Sequence, residues 1–214
     1  MFVLSNNSSV ANNFIAELRD ANIQVDSMRF RRNMERIGEI FAYEISKTLI
    51  YIETEFETPL GTAVVPIIQE QPVLATILRA GLPLHQGLLN FFDKADSAFI
   101  AAFRQDTKGG GFTIVKEYVS SPDLNHKVVI ISDPMLATGQ SIVLSCKELL
   151  QQYEIRQLHI VSVIASTEGV AHVRANLPHA KLWLGAIDDE MTTKAYIVPG
   201  LGDAGDLSFG QKDG

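Results

Sequence analysis

The 214-residue chain has one cysteine, Cys146, so no internal disulfide can form and a cytoplasmic setting is the simpler expectation. No apolar run approaches the roughly 20 residues of a membrane-spanning helix, and no basic segment followed by an apolar core opens the chain. Neither a membrane partner nor an export signal is expected. Basic residues are the minority, 18 against 25 acidic for a net charge of −7, which argues against a nucleic-acid surface. An anionic ligand must then be met by a few placed arginines. The five histidines, at 85, 126, 159, 172 and 179, show no metal-ligand spacing and read as structural or exposed.

What is present is an alternation of strand-like and helix-like segments. Residues 1–26 read as a loose polar arm and a short helix around Phe14, Ile15 and Leu18. From Ser27 to Leu49 the residues Met34, Ile37, Phe41, Ile45 and Leu49 follow helical spacing, and Arg29, Arg31, Arg32 and Arg36 give this helix a solvated basic face. Tyr51 to Thr58 alternates like a strand with one exposed face, and Thr62 to Ile68 follows as another. Val73 to Leu78 leads through Arg79-Ala80-Gly81-Leu82 to a helix opened by Pro83. Strands at Ser97 to Phe103 and Phe112 to Val119 are joined by Arg104 to Gly111, which reads equally as a mobile lid or as an ordinary hairpin connection. The chain continues with a strand from Leu158 to Ile164, a loop at Ser166-Thr167-Glu168-Gly169, a helix from Val170 to Asn176 and a strand from Lys181 to Ala186. This order predicts an α/β fold, 1–214 as one domain, with a mainly parallel central sheet flanked by helices. Ligands of such sheets lie beyond the carboxyl ends of the strands, where Arg79, Asp133 and Ser166 all fall. Residues 188–214 read as an appendage over that edge.

The most informative stretch is Val128 to Ser141. A β-branched apolar run ends in Asp133, and Pro134-Met135-Leu136-Ala137-Thr138-Gly139-Gln140-Ser141 leads into an apolar-periodic segment in which Cys146 has a packing position. Amides at a helix start favour a phosphate, whereas the Asp133 carboxylate suits sugar hydroxyls or a metal-bound group beside it. The loop after Ile131 has neither Gly-x-x-x-x-Gly-Lys nor Gly-x-Gly-x-x-Gly, so triphosphate hydrolysis and dinucleotide binding lose support.

Asp133 to Gly139 resembles the phosphoribosyl diphosphate motif of the type I phosphoribosyltransferases, in the version of the uracil phosphoribosyltransferase family. Tyr196-Ile197-Val198-Pro199-Gly200-Leu201-Gly202-Asp203-Ala204-Gly205-Asp206 is similar to that family's uracil-binding hood, with Phe209-Gly210 continuing it. Arg79-Ala80-Gly81-Leu82 and Phe103-Arg104 match the two arginine segments. Departures are Ser132 for one of two acids, Gln140 for a glycine, Ser166 to Gly169 for an Ala-Pro-Glu-Gly type of turn, and Asp189 to Lys194 before the hood.

The resemblance implies a type I phosphoribosyltransferase fold with a hood at 188–214 and a flexible loop. It implies transfer of phosphoribosyl from phosphoribosyl diphosphate to uracil, giving UMP, with Mg²⁺ carried by the substrate diphosphate rather than held by protein ligands. Arg79 and Arg104 would take the diphosphate, and Asp133 the ribose. Ala137, Thr138, Gly139, Gln140 and Ser141 would anchor the 5′-phosphate, Pro134, Met135 and Leu136 belong to the same phosphoribosyl-diphosphate-binding loop, and Asp203 would meet the ribosyl diphosphate or a metal-bound water. Ile197, Gly202, Asp203 and Ala204 would read uracil. Expected partners are these small molecules, a nucleotide activator such as GTP, and further copies of the chain in a homo-oligomer. The alternatives are an RNA-binding pyrimidine regulator of the same fold and a non-catalytic relative.

Overall fold

The structure, a computed structural model, describes residues 1–106 and 112–211. In chain order the elements are β1 (Phe2–Val3), a 3-10 turn at Leu4–Asn6, α1 (Val10–Arg19), α2 (Ser27–Ser46), β2 (Tyr51–Thr58), β3 (Gly61–Ile68), β4 (Val73–Leu78), α3 (Leu82–Phe91), β5 (Ser97–Asp106) and β6 (Phe112–Ser120). There follow β7 (Val128–Ser132), β8 (Met135–Leu136), α4 (Gln140–Gln152), β9 (Gln157–Ser166), α5 (Thr167–Asn176), β10 (Lys181–Asp188), β11 (Glu190–Met191), β12 (Ile197–Val198) and α6 (Ala204–Phe209).

The central sheet has the order β1-β10-β9-β7-β4-β5-β6, with β8 added beside β9, and every pairing is parallel except β5 with β6. Alternation along the strands splits the core into two layers. Leu74, Ile130, Val161 and Trp183 pack against Leu18, Phe30, Phe41 and Leu88 of α1, α2 and α3. Val73, Ala75, Val129, Ile131 and Leu184 pack against Ile142, Cys146 and Leu149 of α4 and Val173 of α5. Burial pushes the Cys146 thiol up to about 12, in keeping with a packing role. The described residues include no helix long and apolar enough to cross a membrane.

Several boundaries differ from the sequence expectation. The long helix ends at Ser46 rather than Leu49. The first residues are not a loose arm: Phe2–Val3 adds a parallel edge strand to β10, and the Phe2 ring lies 5.3 Å from Trp183. Ser166 to Gly169 is not a loop, because the Ser166 hydroxyl accepts from the Gly169 amide and caps a helix that already begins at Thr167. Arg31 leaves the expected solvated face to donate to the Ser208 carbonyl at 2.6 Å. Finally, β2 and β3 pair with each other in a hairpin apart from the central sheet, and nearly all their residues are exposed on both faces.

One buried polar cluster ties the N-terminal edge together. Trp183 Nε1 donates to His159 Nδ1 at 2.9 Å, and the rings stack with centroids 5.9 Å apart. That bond requires a neutral imidazole. Burial, with a smaller contribution from the Lys181 charge, lowers His159 from 6.5 to about 4, and burial alone does the same to His85. The unfolded chain therefore binds more protons than the folded one between those values, so stability is full above the unfolded pKa and falls as pH drops toward the folded one. Unfolding free energy should fall by about 1 kcal/mol per pH unit for each of these histidines between about pH 6 and pH 5. Urea titration of the unmodified chain beside His159→Asn checks this, since the variant should lose about half of the histidine-dependent slope.

Candidate active site

Strands β4, β7, β9 and β10 run parallel, so the segments leaving them at Arg79, Asp133, Thr167 and Asp189 emerge along one edge. The central one folds in two steps. Asp133 donates its amide to the Val161 carbonyl at 3.1 Å, and the chain then forms the short strand β8 beside Ile164 and Ala165. Only after this does the turn at Ala137 to Gly139 bring the chain to the start of α4. Gly139 has φ +74°, a conformation that costs glycine little, and a Cβ there would meet the Gly169 carbonyl at 2.9 Å. Thr138 Oγ1 lies 3.4 Å from the Gln140 amide, and the Gln140 side chain is exposed. The turn therefore leads straight into the N-terminus of α4, and the glutamine that begins the helix is exposed.

The turn is held from behind by α5. Ser166 Oγ donates to the Ala137 carbonyl at 2.6 Å while accepting from the Gly169 amide at 2.8 Å. At Gly169 the two backbones touch, since a Cβ would lie 2.2 Å from Ala137 O and 2.6 Å from Leu136 O. Sequence reasoning treated 166–169 as a departure and missed this support. The readable signal was a serine followed three residues later by glycine at a strand-to-helix junction.

Arg79 follows β4 and is already engaged. It donates to Asp206 Oδ1 at 2.8 Å and to the Gly210 carbonyl at 2.6 Å, which brings the predicted diphosphate arginine against the predicted hood. Asp203 caps α6 by accepting from the Asp206 amide at 2.9 Å. Of the expected link, Arg104 to Asp106 instead extend β5 in register with Ile114 to Phe112, while the Arg104 side chain and residues 107–111 lie outside the described residues.

The hood is a compact backbone structure. Ile197 and Val198 pair antiparallel with Met191 and Glu190, so the divergent 189–194 segment supplies the partner strand. Its turn is closed by the Thr192 amide donating to the Tyr196 carbonyl at 2.8 Å. Ile197 and Ala204 are buried, whereas Gly202 is exposed with φ +90°. Behind the hood, Arg19 of α1 donates to both Asp188 oxygens, at 2.7 and 2.8 Å, and to the Gly200 carbonyl at 2.9 Å. Sequence reasoning missed this pair too, because one arginine at the end of an amphipathic helix carries no local signal.

A mainly parallel sheet with a phosphate-type loop after its central strand and a backbone hood over the same edge defines a type I phosphoribosyltransferase. The solved AQ2163 protein of Aquifex aeolicus superposes over 98% of both chains with a TM-score of 0.87 at 26% identity. Residues 5–211 match the family model described as Uracil phosphoribosyltransferase, and the chain belongs to that family. A uracil phosphoribosyltransferase of Porphyromonas gingivalis is 50% identical over 205 residues, covering 95% of each chain. One of Thermococcus gammatolerans is 36% identical over 199 residues, covering 92% of this chain and 87% of its own.

Replacing Ser166 by alanine removes a helix cap and a donor to the phosphate loop. Ser166→Ala should cost about 1 kcal/mol in thermal stability and raise the KM for phosphoribosyl diphosphate several-fold. Steady-state kinetics at 25 °C, below the melting range, separates the two effects.

Proposed function

We propose that this chain transfers the phosphoribosyl group of 5-phospho-α-D-ribose 1-diphosphate to uracil, releasing diphosphate and UMP in pyrimidine salvage. The observation that carries the reading is the meeting of the two motif segments through Arg79, which reaches from the edge bearing the phosphate loop to Asp206 and Gly210 of the hood. In the reaction the bond from ribose C1 to diphosphate breaks, taking its electron pair with the diphosphate, and a bond from C1 to uracil N1 forms as N1 loses its proton, which is released with the diphosphate. Charge accumulates on the leaving diphosphate, and a site built for it places cations there. Arg79 and Arg104 have that role. Asp133 orients the ribose and offsets positive charge on its ring, while the amides from Ala137 to Ser141 anchor the 5′-phosphate and convert its binding into alignment of C1. Pro134, Met135 and Leu136 shape the loop.

Base choice belongs to the hood. Ile197, Gly202 and Ala204 offer main-chain groups to the uracil edge, and Asp203 stands beside them at the start of α6. Cytosine reverses the donor and acceptor pattern of that edge and would leave buried groups unpaired.

Mg²⁺ enters with the diphosphate, where it would offset charge on the leaving group. Mg²⁺ is commonly held by one or two carboxylates plus substrate phosphates, and Asp133 and Asp203 are the motif carboxylates that would meet a metal-bound group there. A cytoplasmic setting is in keeping with the single buried thiol of Cys146. A nucleotide activator such as GTP is tested by adding it to the assay below.

The same reading includes a homo-oligomer, for which the β2–β3 hairpin is the supporting surface. Ile52, Thr54 and Phe56 share one uncharged face with Ala63, Val65 and Ile67, and Glu53, Glu55 and Glu57 occupy the other. An isolated two-stranded ribbon is marginal in water, and an isologous pair of copies covers two such faces with one contact.

Formation of UMP from labelled uracil, phosphoribosyl diphosphate and Mg²⁺ tests the activity. The unmodified chain should turn over, and Asp133→Asn should lower kcat/KM by about 100-fold or more; no turnover by the unmodified chain overturns the reading, and an unaffected variant removes the role of Asp133. For the oligomer, sedimentation velocity should show Phe56→Glu as a monomer at concentrations where the unmodified chain is a dimer or larger.

A further inference from the structure

Gly200 lies between the hood residues Ile197 and Gly202, and both of its backbone groups are taken by one ion pair. Its amide donates to Asp188 Oδ2 at 2.9 Å, and its carbonyl accepts from Arg19 NH1 at 2.9 Å. Arg19 and Asp188 hold each other through two parallel bonds of 2.7 and 2.8 Å, and the Asp188 side chain is only 7% exposed. Planar two-point pairing of this kind fixes orientation as well as distance. Gly200 has φ +55°, and a Cβ on it would come within 2.2 Å of the Ile197 carbonyl. The held residue is therefore folded directly against the backbone of the residue read as a uracil contact.

Asp188 is the last residue of β10 and Arg19 the last of α1. The clamp thus ties the hood to two rigid elements. The Asp188 main chain also pairs with Ser166 and accepts from Thr167 Oγ1 at 3.1 Å, a backbone contact that side-chain substitutions at 19 and 188 leave in place. Burial raises the Asp188 carboxyl, but the bonds from Arg19 and the Gly200 amide, with the Arg19 charge, outweigh it and hold the group below the usual carboxylate range. It stays an acceptor throughout the neutral range.

We infer that Arg19 and Asp188 are positioning residues for base recognition: they set the height of the Ile197 to Gly202 backbone over the acceptor site, and so govern uracil affinity and the rejection of cytosine without touching either substrate. This rests on the uracil-transfer reading given above. A clamp of this design should act on one substrate only. Loosening it moves main-chain donors and acceptors away from the base edge, while Ser166, Gly169 and the start of α4 still hold the phosphate loop.

Arg19→Lys retains the charge and loses the two-point pairing; Asp188→Asn retains the shape and loses the charge. Initial rates with uracil and phosphoribosyl diphosphate varied separately should show the uracil KM raised about 10-fold in each variant, with the phosphoribosyl diphosphate KM within 2-fold of the unmodified chain. The ratio of kcat/KM for uracil to that for cytosine should fall by a similar factor. Hydrogen exchange read by mass spectrometry should accelerate at 197–202 and stay unchanged at 137–141. If Asp188→Asn does not fold, Arg19→Lys decides the matter alone. Unchanged uracil KM and unchanged exchange at 197–202, in a variant beside an active unmodified chain, overturn the clamp and leave the activity standing. Equal loss on both substrates reduces the pair to a structural role and also overturns it. An unmodified chain that makes no UMP overturns the activity and the clamp together.

Discussion

The contact on which the site depends is between two stretches of main chain. The first turn of α5 lies so close to the phosphate loop that the carbonyls of Leu136 and Ala137 occupy the space a side chain at position 169 would need. Nothing larger than glycine fits without moving one of them. Ser166 closes the same seam by linking the Ala137 carbonyl to the Gly169 amide through one hydroxyl. A loop that must present several amides to one ligand gains most from being held before the ligand arrives, because its ordering entropy is then already spent in folding. The seam supplies that rigidity, and it places the loop relative to β9 rather than relative to solvent.

Opposite it, the hood is suspended from arginines. Arg19, Arg31 and Arg79 come from α1, α2 and the segment after β4, and each donates to a carbonyl of the terminal segment, at Gly200, Ser208 and Gly210 respectively. Carbonyl oxygens at the ends of short elements are the groups that secondary structure leaves unpaired, and a guanidinium has donors enough to meet one while pairing an acid. A chain with a net charge of −7 thus holds three of its cations against the terminal segment, fixed by the fold rather than spread over the surface.

The alternation of strand and helix, the parallel sheet and the edge that carries the site were legible because period and β-branching report them directly. The loop at Asp133 to Ser141 was legible for a different reason, since small and hydroxyl residues between a strand and a helix leave few conformations. Three things were not. The hairpin of β2 and β3 reads as two ordinary strands, because alternation does not say whether the buried face meets this chain or another. Phe2–Val3 is too short for any pattern. Arg19, Ser166 and Asp188 act across 169, 29 and 12 residues of separation in their contacts with Asp188, Ala137 and Gly200, and a spacing rule has no access to pairs of that kind.

Arg79 joins these two halves. Its guanidinium is engaged by Asp206 and by the Gly210 carbonyl, and the same group is the one proposed to take the diphosphate. On that proposal, a cation shared between a donor-substrate role and a hood acid would make the two sites energetically dependent: whatever the diphosphate draws from Arg79 would change what holds α6, and whatever orders α6 would change the charge the diphosphate meets. Such coupling is reciprocal by thermodynamic necessity. The hood is therefore held from two sides of different character, a two-point ion pair at Gly200 and an arginine bonded to both Asp206 and the Gly210 carbonyl.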